Sequence, residues 1–182
     1  MRKLKIYNLA RKLLFLLPPE QSQNISHFFL KLFSGLYKSK QTRFSVKGLK
    51  IKNRLGLAAG LDKNARLINE FDNIGFGFVE VGTITPKPQY GNPKPRIKRL
   101  ISNESLLNSL GFPNEGVATI KPRLQKVRDD ICLGVNIGPN KDTVPQEIVN
   151  DYLFCYREVF KYADFVTMNI SSPNTPNLRS LH

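Results

Sequence analysis

Four short apolar runs, at residues 55–59, 76–82, 132–138 and 165–170, each break off into a loop rich in Gly, Asn, Thr or Ser. The loops read AAGLDKN, VGTITPKPQ, NIGPNKD and NISSPNT. Helical stretches fit between the runs, near 65–74, 115–127 and 145–162. Short runs that are apolar throughout describe strands covered on both faces. Joined by helices, such strands lie parallel, because parallel neighbours need a long crossover connection. In the last helical stretch Asp142 or Thr143 is placed to act as N-cap, with Pro145 in the first turn.

Parallel strands send their C-terminal ends to one side of a sheet. Lys63, Thr83, Asn136, Asn169 and the serines after it are therefore expected on one face, where ligands bind in α/β folds. Gly60 and Gly82 free backbone amides there. With the Asn and Thr side chains they suit a planar heterocycle that carries donors and acceptors on its edge. Lys63 adds a positive charge for an anion. A phosphate-binding GxxxxGK[ST] motif and a GxGxxG fingerprint are both absent.

The N-terminal part is different. Residues 1–54 hold 13 of the 28 Lys and Arg but a single acidic residue, Glu20, so the net charge of +14 is concentrated there. A basic end on a nearly neutral body points to a surface-contacting appendage more than to a nucleic-acid binder. A first helix is expected over 3–17, ended by Pro18 and Pro19. A second starts near Glu20, with Ile25, Phe28, Phe29, Leu32, Phe33, Leu36 and Tyr37 on one stripe. Either this stripe packs on the body or it lies in an anionic membrane surface. The apolar run at 13–17 is too short to span a bilayer, and no small-residue cleavage site follows it. FSVKGLKIKN, around Gly48, reads as a hairpin. Two cysteines, Cys132 and Cys155, make no disulfide framework, so the chain reads as intracellular. Two histidines, His27 and His182, are too few for a multi-histidine metal site.

The motifs LGLAAGLDKN, GFGFVEVGTITPKPQYGNPKPRIKRL, NSLGF, GVNIGPNKD and MNISSPNTPNLR, in this order and spacing, resemble the membrane-associated, quinone-using class of dihydroorotate dehydrogenases. The amphipathic N-terminal extension matches that class as well. The resemblance implies a TIM (β/α)8 barrel with FMN at its strand ends. Here residues 44–182 would be its first half, with about four strands, and 1–43 a small helical membrane and quinone-tunnel segment. It also implies oxidation of dihydroorotate to orotate in pyrimidine synthesis. A proton leaves C5, a hydride passes from C6 to the flavin, and electrons go on to a quinone.

By the same resemblance Ser172 is the catalytic base, with a proton relay near Thr175 and Phe112. A serine hydroxyl is a weak base at neutral pH and needs such help. Lys63 contacts both FMN and substrate. Ala59, Gly60, Thr83, Asn136 and Asn169 belong to the FMN site. Asn108, Ser109, Leu110, Gly111, Phe112, Asn169 and Asn174 belong to the substrate site, and Arg99 stands beside the quinone. No metal and no nucleic acid are implied. The full-length parent is expected to be a monomer on the cytoplasmic face of a bacterial membrane or, alternatively, on the mitochondrial inner membrane. Pro139 and Pro113 depart from the usual Lys and Asn of the family.

A closed barrel needs eight strands and at least about 200 residues. The family's second lysine, its Asn-Thr strand end and its glycine-rich phosphate site are not in this sequence. The expectation is therefore a truncated gene, a split reading frame or an incomplete sequence record, with the chain alone poorly stable and inactive unless complemented by the missing half. The competing reading of the whole chain is a basic membrane- or nucleic-acid-binding module without catalysis, or the product of a decayed gene.

Overall fold

A computed structural model describes residues 2–37 and 44–172, with side chains of the first helix described from Tyr7 onward. Asn174 and Thr175 lie outside the described residues. In chain order the elements are α1 (Arg2–Phe15), α2 (Pro19–Phe33), β1 (Phe44–Val46), β2 (Leu49–Ile51), α3 (Ile68–Asn73), β3 (Val79–Ile84), β4 (Ile97–Leu100), β5 (Ser105–Asn108), α4 (Val117–Leu124), β6 (Leu133–Ile137), α5 (Ile148–Val159) and β7 (Phe165–Met168).

The central sheet has the order β3-β6-β7, all parallel, with Val81 opposite Val135 and Val135 opposite Val166. Val79, Val81, Ile84, Val135 and Ile137 are completely buried, and Val117, Ile120, Cys155 and Val159 of α4 and α5 close over them. Burial on both faces is why these strands carry apolar residues without alternation. Each such side chain contributes about 1.5–3 kcal/mol through burial.

The expected first strand, 55–59, is reduced to one parallel bridge between Leu57 and Val79. Its start is diverted by an Asx-type turn, in which the Leu55 N–H donates to the Asn53 side chain at 3.2 Å. Gly56 stands under the Phe78 ring, where a Cβ would collide at 1.9 Å. The hairpin at 44–51 is present, with Lys47 and Gly48 at positive φ in its turn. A second antiparallel hairpin, β4–β5, stands outside the central sheet and was not expected.

The last helix is not capped by Asp142 or Thr143. Its first turn is a 3-10 turn at Pro145–Glu147 with no side-chain cap. The Thr143 hydroxyl donates instead to Asp151 Oδ2 inside α5, at 2.6 Å, and the same oxygen accepts the Asn140 N–H at 2.9 Å.

Lys52, just past β2, is buried and ties the N-terminal side of the sheet together. Its ammonium donates to Asp72 of α3 at 2.8 Å and to Asp130 of the α4–β6 loop at 2.7 Å. Arg128 also pairs with Asp72. Buried charges of this kind persist only when paired and hydrogen-bonded.

The stripe on α2 and the turn after it is left largely uncovered: Phe28, Phe29, Leu32, Phe33, Leu36 and Tyr37 are exposed, and Ile25, Phe29, Phe33 and Tyr37 line an apolar cavity of about 600 Å³ against Leu13, Leu14 and Leu17, whereas Ser22, His27 and Leu30 face inward. No helix among the described residues is long and apolar enough to cross a membrane.

Candidate active site

The ends of β3, β6 and β7 and the loop after Leu57 meet as expected for parallel strands. The buried Thr83 and Asn136 and the half-buried Asn169 form a hydrogen-bonded knot there. The Thr83 hydroxyl donates to Asn136 Oδ1 at 2.6 Å. Asn169 Nδ2 reaches Thr83 Oγ1 at 3.2 Å and Asn136 Oδ1 at 3.3 Å. Asn136 Nδ2 donates to Glu80 at 2.9 Å. The Asn169 carbonyl accepts the Tyr152 hydroxyl at 2.7 Å, and its side-chain oxygen accepts the Ser171 N–H at 3.2 Å. Three strand ends are thus locked to each other through polar side chains that are largely shielded from water.

Above this knot lies a cavity of about 310 Å³, lined by Ala59, Gly60, Lys63, Thr83, Asn108, Leu110, Gly111, Phe112, Asn169 and Ser172. Ten of the expected site residues therefore share one wall. Asn136 sits behind it as a support. Ser109 does not line it; its N–H donates to the Arg96 carbonyl at 2.9 Å, and its own carbonyl accepts from Asn92 at 2.9 Å.

The two glycine amides expected to be available are engaged. Gly60 N–H donates to the Gly82 carbonyl at 2.8 Å, and Gly82 N–H to the Asp62 carbonyl at 3.2 Å. Bonding between the loop at 58–63 and the end of β3 takes them. Both have φ 108, where only glycine is relaxed. A Cβ on Gly82 would meet the Asn136 carbonyl at 2.4 Å, while one on Gly60 would meet nothing within 4 Å. Gly60 therefore presents a bare backbone surface against which a flat ring can lie. Asp62 holds this loop rigid by accepting the Arg66 and Leu67 N–H groups at 2.9 and 2.8 Å.

Lys63 donates to the Gly60 carbonyl. Burial pushes its ammonium below the usual lysine range, and the nearby charge of Arg96 pushes the same way, against the pull of Glu20 and Asp62. A lysine held down by burial and a neighbouring cation gains from an anionic partner. The thiols of Cys132 and Cys155, buried in the core, are pushed up to about 11 and about 12 and take no part.

The rim from Asn108 to Phe112 is positioned by a residue that the sequence reading missed. Asn114 donates to the Phe112 carbonyl at 2.9 Å and to Thr85 Oγ1 at 2.8 Å. Gly111 and Phe112 both have positive φ, so the loop needs such an anchor. The PNEG segment held the signal, since an Asn side chain commonly bonds the backbone two residues on, and Asn114 Oδ1 accepts the Gly116 N–H at 2.8 Å. Gly138 leaves room at the other side, where a Cβ would meet Thr83 at 2.8 Å and Phe112 at 3.2 Å.

Arg99 is remote from this cavity. Its guanidinium donates to the Leu17 carbonyl at 2.7 Å and to Ser22 Oγ at 2.9 Å, and it stacks on the Phe15 ring at 4.5 Å. It lines a separate cavity of about 910 Å³ between α1, α2 and the β4–β5 hairpin, with apolar walls that include Phe15, Leu30, Phe71 and Leu100.

The arrangement fits the ring portion of a flavin: a bare glycine surface, a polar rim and a cation, beside a hydroxyl at Ser172. A profile of the dihydroorotate dehydrogenase family matches residues 41–182. Dihydroorotate dehydrogenase (quinone) of Pseudomonas savastanoi is 49% identical over 183 residues, spanning 97% of this chain and 53% of that protein. The protein of the same name from Acinetobacter baylyi is 44% identical over 180 residues, spanning 97% and 54%. A crystal structure of the Eimeria tenella enzyme with ferulenol superposes with a TM-score of 0.74 at 40% identity, over 87% of this chain and 46% of that one. The chain thus spans about half the length of the curated relatives it matches.

Proposed function

The chain belongs to the dihydroorotate dehydrogenase family, and from that premise we propose that it contributes one wall of a site that oxidises dihydroorotate to orotate. The observation that carries this reading is the meeting of Lys63, Asn108, Phe112, Asn169 and Ser172 on one cavity at the ends of parallel strands.

FMN is the cofactor this site would hold, with Ala59, Gly60, Lys63 and Thr83 along its ring; when bound, it supplies the acceptor for the hydride that leaves C6. Ser172 takes the proton from C5. Its hydroxyl needs a further acceptor to work as a base near neutral pH, and the Thr175 region is proposed for that relay. Lys63 offsets the negative charge of the substrate carboxylate, which compensates the cost of its own burial. Asn108 and the backbone of 110–112 read the edge of the pyrimidine ring. Asn169 lines the cavity beside the ring and, with its Nδ2 already given to Thr83 and Asn136, holds the strand ends in place under it. Asn174 is proposed as a second amide on the ring.

The electron acceptor proposed is a quinone, entering through the apolar cavity beside Arg99. The exposed aromatic stripe of α2, in the basic part of the chain, favours attachment to an anionic membrane surface. The cytoplasmic face is the side proposed.

The test is complementation. The 182-residue chain is co-expressed with the half of a full-length relative that it does not span. The expected product is a yellow complex that couples dihydroorotate oxidation to reduction of a short-chain quinone. A colourless complex, or a yellow one that leaves dihydroorotate unchanged, would overturn the reading.

A further inference from the structure

The loop at 109–112 has its carbonyls tied down on one side by the short segment 89–92. Asn92 Nδ2 donates to the Ser109 carbonyl at 2.9 Å, the Asn92 N–H to the Leu110 carbonyl at 3.0 Å, and Gln89 Nε2 to the Gly111 carbonyl at 3.1 Å. The two segments lie flush, and a Cβ on Gly91 would meet the Leu110 carbonyl at 2.3 Å. In a trans peptide the carbonyl and the next N–H point in opposite directions. Three carbonyls held toward 89–92 therefore turn the N–H groups of Leu110, Gly111 and Phe112 away from it. These residues line the strand-end cavity, and among the described residues their N–H groups have no partner. Gly111 and Phe112 stand at φ 68 and 47, a backbone that needs outside support to persist.

Gln89 is held so that it can do this in one way only. Its Oε1 accepts the Lys141 N–H at 3.0 Å and Asn140 Nδ2 at 2.9 Å, both from the loop after β6. A backbone N–H only donates and a carbonyl only accepts, so a single orientation of the amide satisfies both ends. The Gln89 main chain also pairs with Asn114, at 3.0 Å in each direction. Gln89 is half-buried and lies behind the cavity wall rather than in it. The charges around it are engaged elsewhere. Lys141 Nζ donates to Asn92 Oδ1, and the Arg96 guanidinium to the Tyr90 carbonyl and Glu20. Asp151 accepts from Thr143 and from the Asn140 N–H.

We propose that Gln89 is a positioning residue for substrate binding. By holding the Gly111 carbonyl outward it aims the Phe112 N–H, on the same peptide, into the cavity that receives the pyrimidine. The inference rests on the proposed function and deepens it. Gln89 touches no substrate atom; it acts through the Gly111–Phe112 peptide. Without the Nε2 donor that peptide is free to turn over and to present a carbonyl where the ligand needs a donor. Because the other end of the same amide is fixed by Asn140 and Lys141, Gln89 also ties the substrate loop to the end of β6.

The experiment uses the flavin-bearing complex described above. It measures orotate affinity from flavin absorbance at about pH 8 and about pH 5, and bleaching at saturating dihydroorotate. Gln89→Glu keeps the shape and the acceptor for Lys141, but when ionised it sets an oxygen against the Gly111 carbonyl. It should bind orotate roughly tenfold more weakly than wild type at the higher pH. At the lower pH its carboxyl, raised by burial and the facing carbonyl, regains a proton and donates again, so most of the loss should be recovered. Gln89→Met is neutral and has no donor; it should bind roughly fivefold more weakly at both pH values, which separates a lost hydrogen bond from an added charge. Both variants should keep full flavin content and bleach within about twofold of wild type at saturation, since the reacting groups are untouched. Wild-type orotate affinity in Gln89→Met would overturn the assignment and leave the proposed function standing. A deficit in Gln89→Glu that is equal at both pH values would overturn it as well, and so would loss of flavin from both variants, the result of a purely structural role. A wild-type complex that is colourless or binds no orotate would overturn the proposed function, and this assignment with it.

Discussion

Asn169 Nδ2 donates to Thr83 Oγ1 at 3.2 Å across 86 residues of chain, joining the ends of the two outer strands of the central sheet. The Thr83 hydroxyl in turn donates to Asn136 on the strand between them. Thr83→Val keeps the shape and removes the hydroxyl from the centre of this knot. It should cost about 1–3 kcal/mol, since partners of buried polar groups are left unsatisfied. Urea unfolding of the variant against wild type checks it.

Gly82 turns the chain beside Asn136 with no space for a side chain. Gly82→Ala meets the Asn136 carbonyl and a positive φ together. It should destabilise by at least about 1 kcal/mol and open the cavity wall. Gly60→Ala faces open space and is strained by φ alone, so its melting temperature should fall less. A pair of thermal melts separates the two.

The Lys52 cluster closes the opposite side of the sheet. Lys52→Met leaves Asp72 and Asp130 without their buried cation, and the expected loss is about 3–5 kcal/mol. The half-exposed pair Lys121–Glu158 should lose far less on conversion of Lys121 to Met, because solvent screens it. Denaturant midpoints for the two variants test the contrast.

Asp130 extends this cluster to acid pH. The hydrogen bond from Lys52, with the charges of Lys52 and Arg128, holds its carboxyl below the ordinary value of 3.8, against burial. A carboxylate depressed in the folded state adds stability above its unfolded value, and that stability is lost as pH falls through the folded value. Below about pH 4, stability of the wild type should therefore fall more steeply than that of Asp130→Asn. Stability measured from pH 5 to pH 2 shows whether the two curves converge.

What could be read from the sequence divides along physical lines. The parallel strands were legible because burial on both faces leaves a run of apolar residues, as at 132–138. The gathering of Lys63, Thr83, Asn169 and Ser172 followed from strand direction. Hidden from that reading was the β4–β5 hairpin: its Ile101–Asn103 turn has no Asn-Gly signature, and Ser105–Asn108 is exposed throughout. The availability of the Gly60 and Gly82 amides was misjudged because their bonds run between a loop and a strand end that are distant in sequence. Asn114 drew no notice in the sequence, although it anchors Phe112. The α2 stripe was visible, but its periodicity alone did not say whether protein or lipid would cover it.

The central claim is that these strand ends grip a flavin and set Ser172 beside the substrate. It is tested most directly by mixing the complemented, flavin-bearing complex anaerobically with dihydroorotate and recording flavin absorbance. The account predicts rapid bleaching in wild type. In Ser172→Ala it predicts full flavin content with bleaching slowed at least about 100-fold, the scale of a lost general base. Bleaching of Ser172→Ala at the wild-type rate would contradict it.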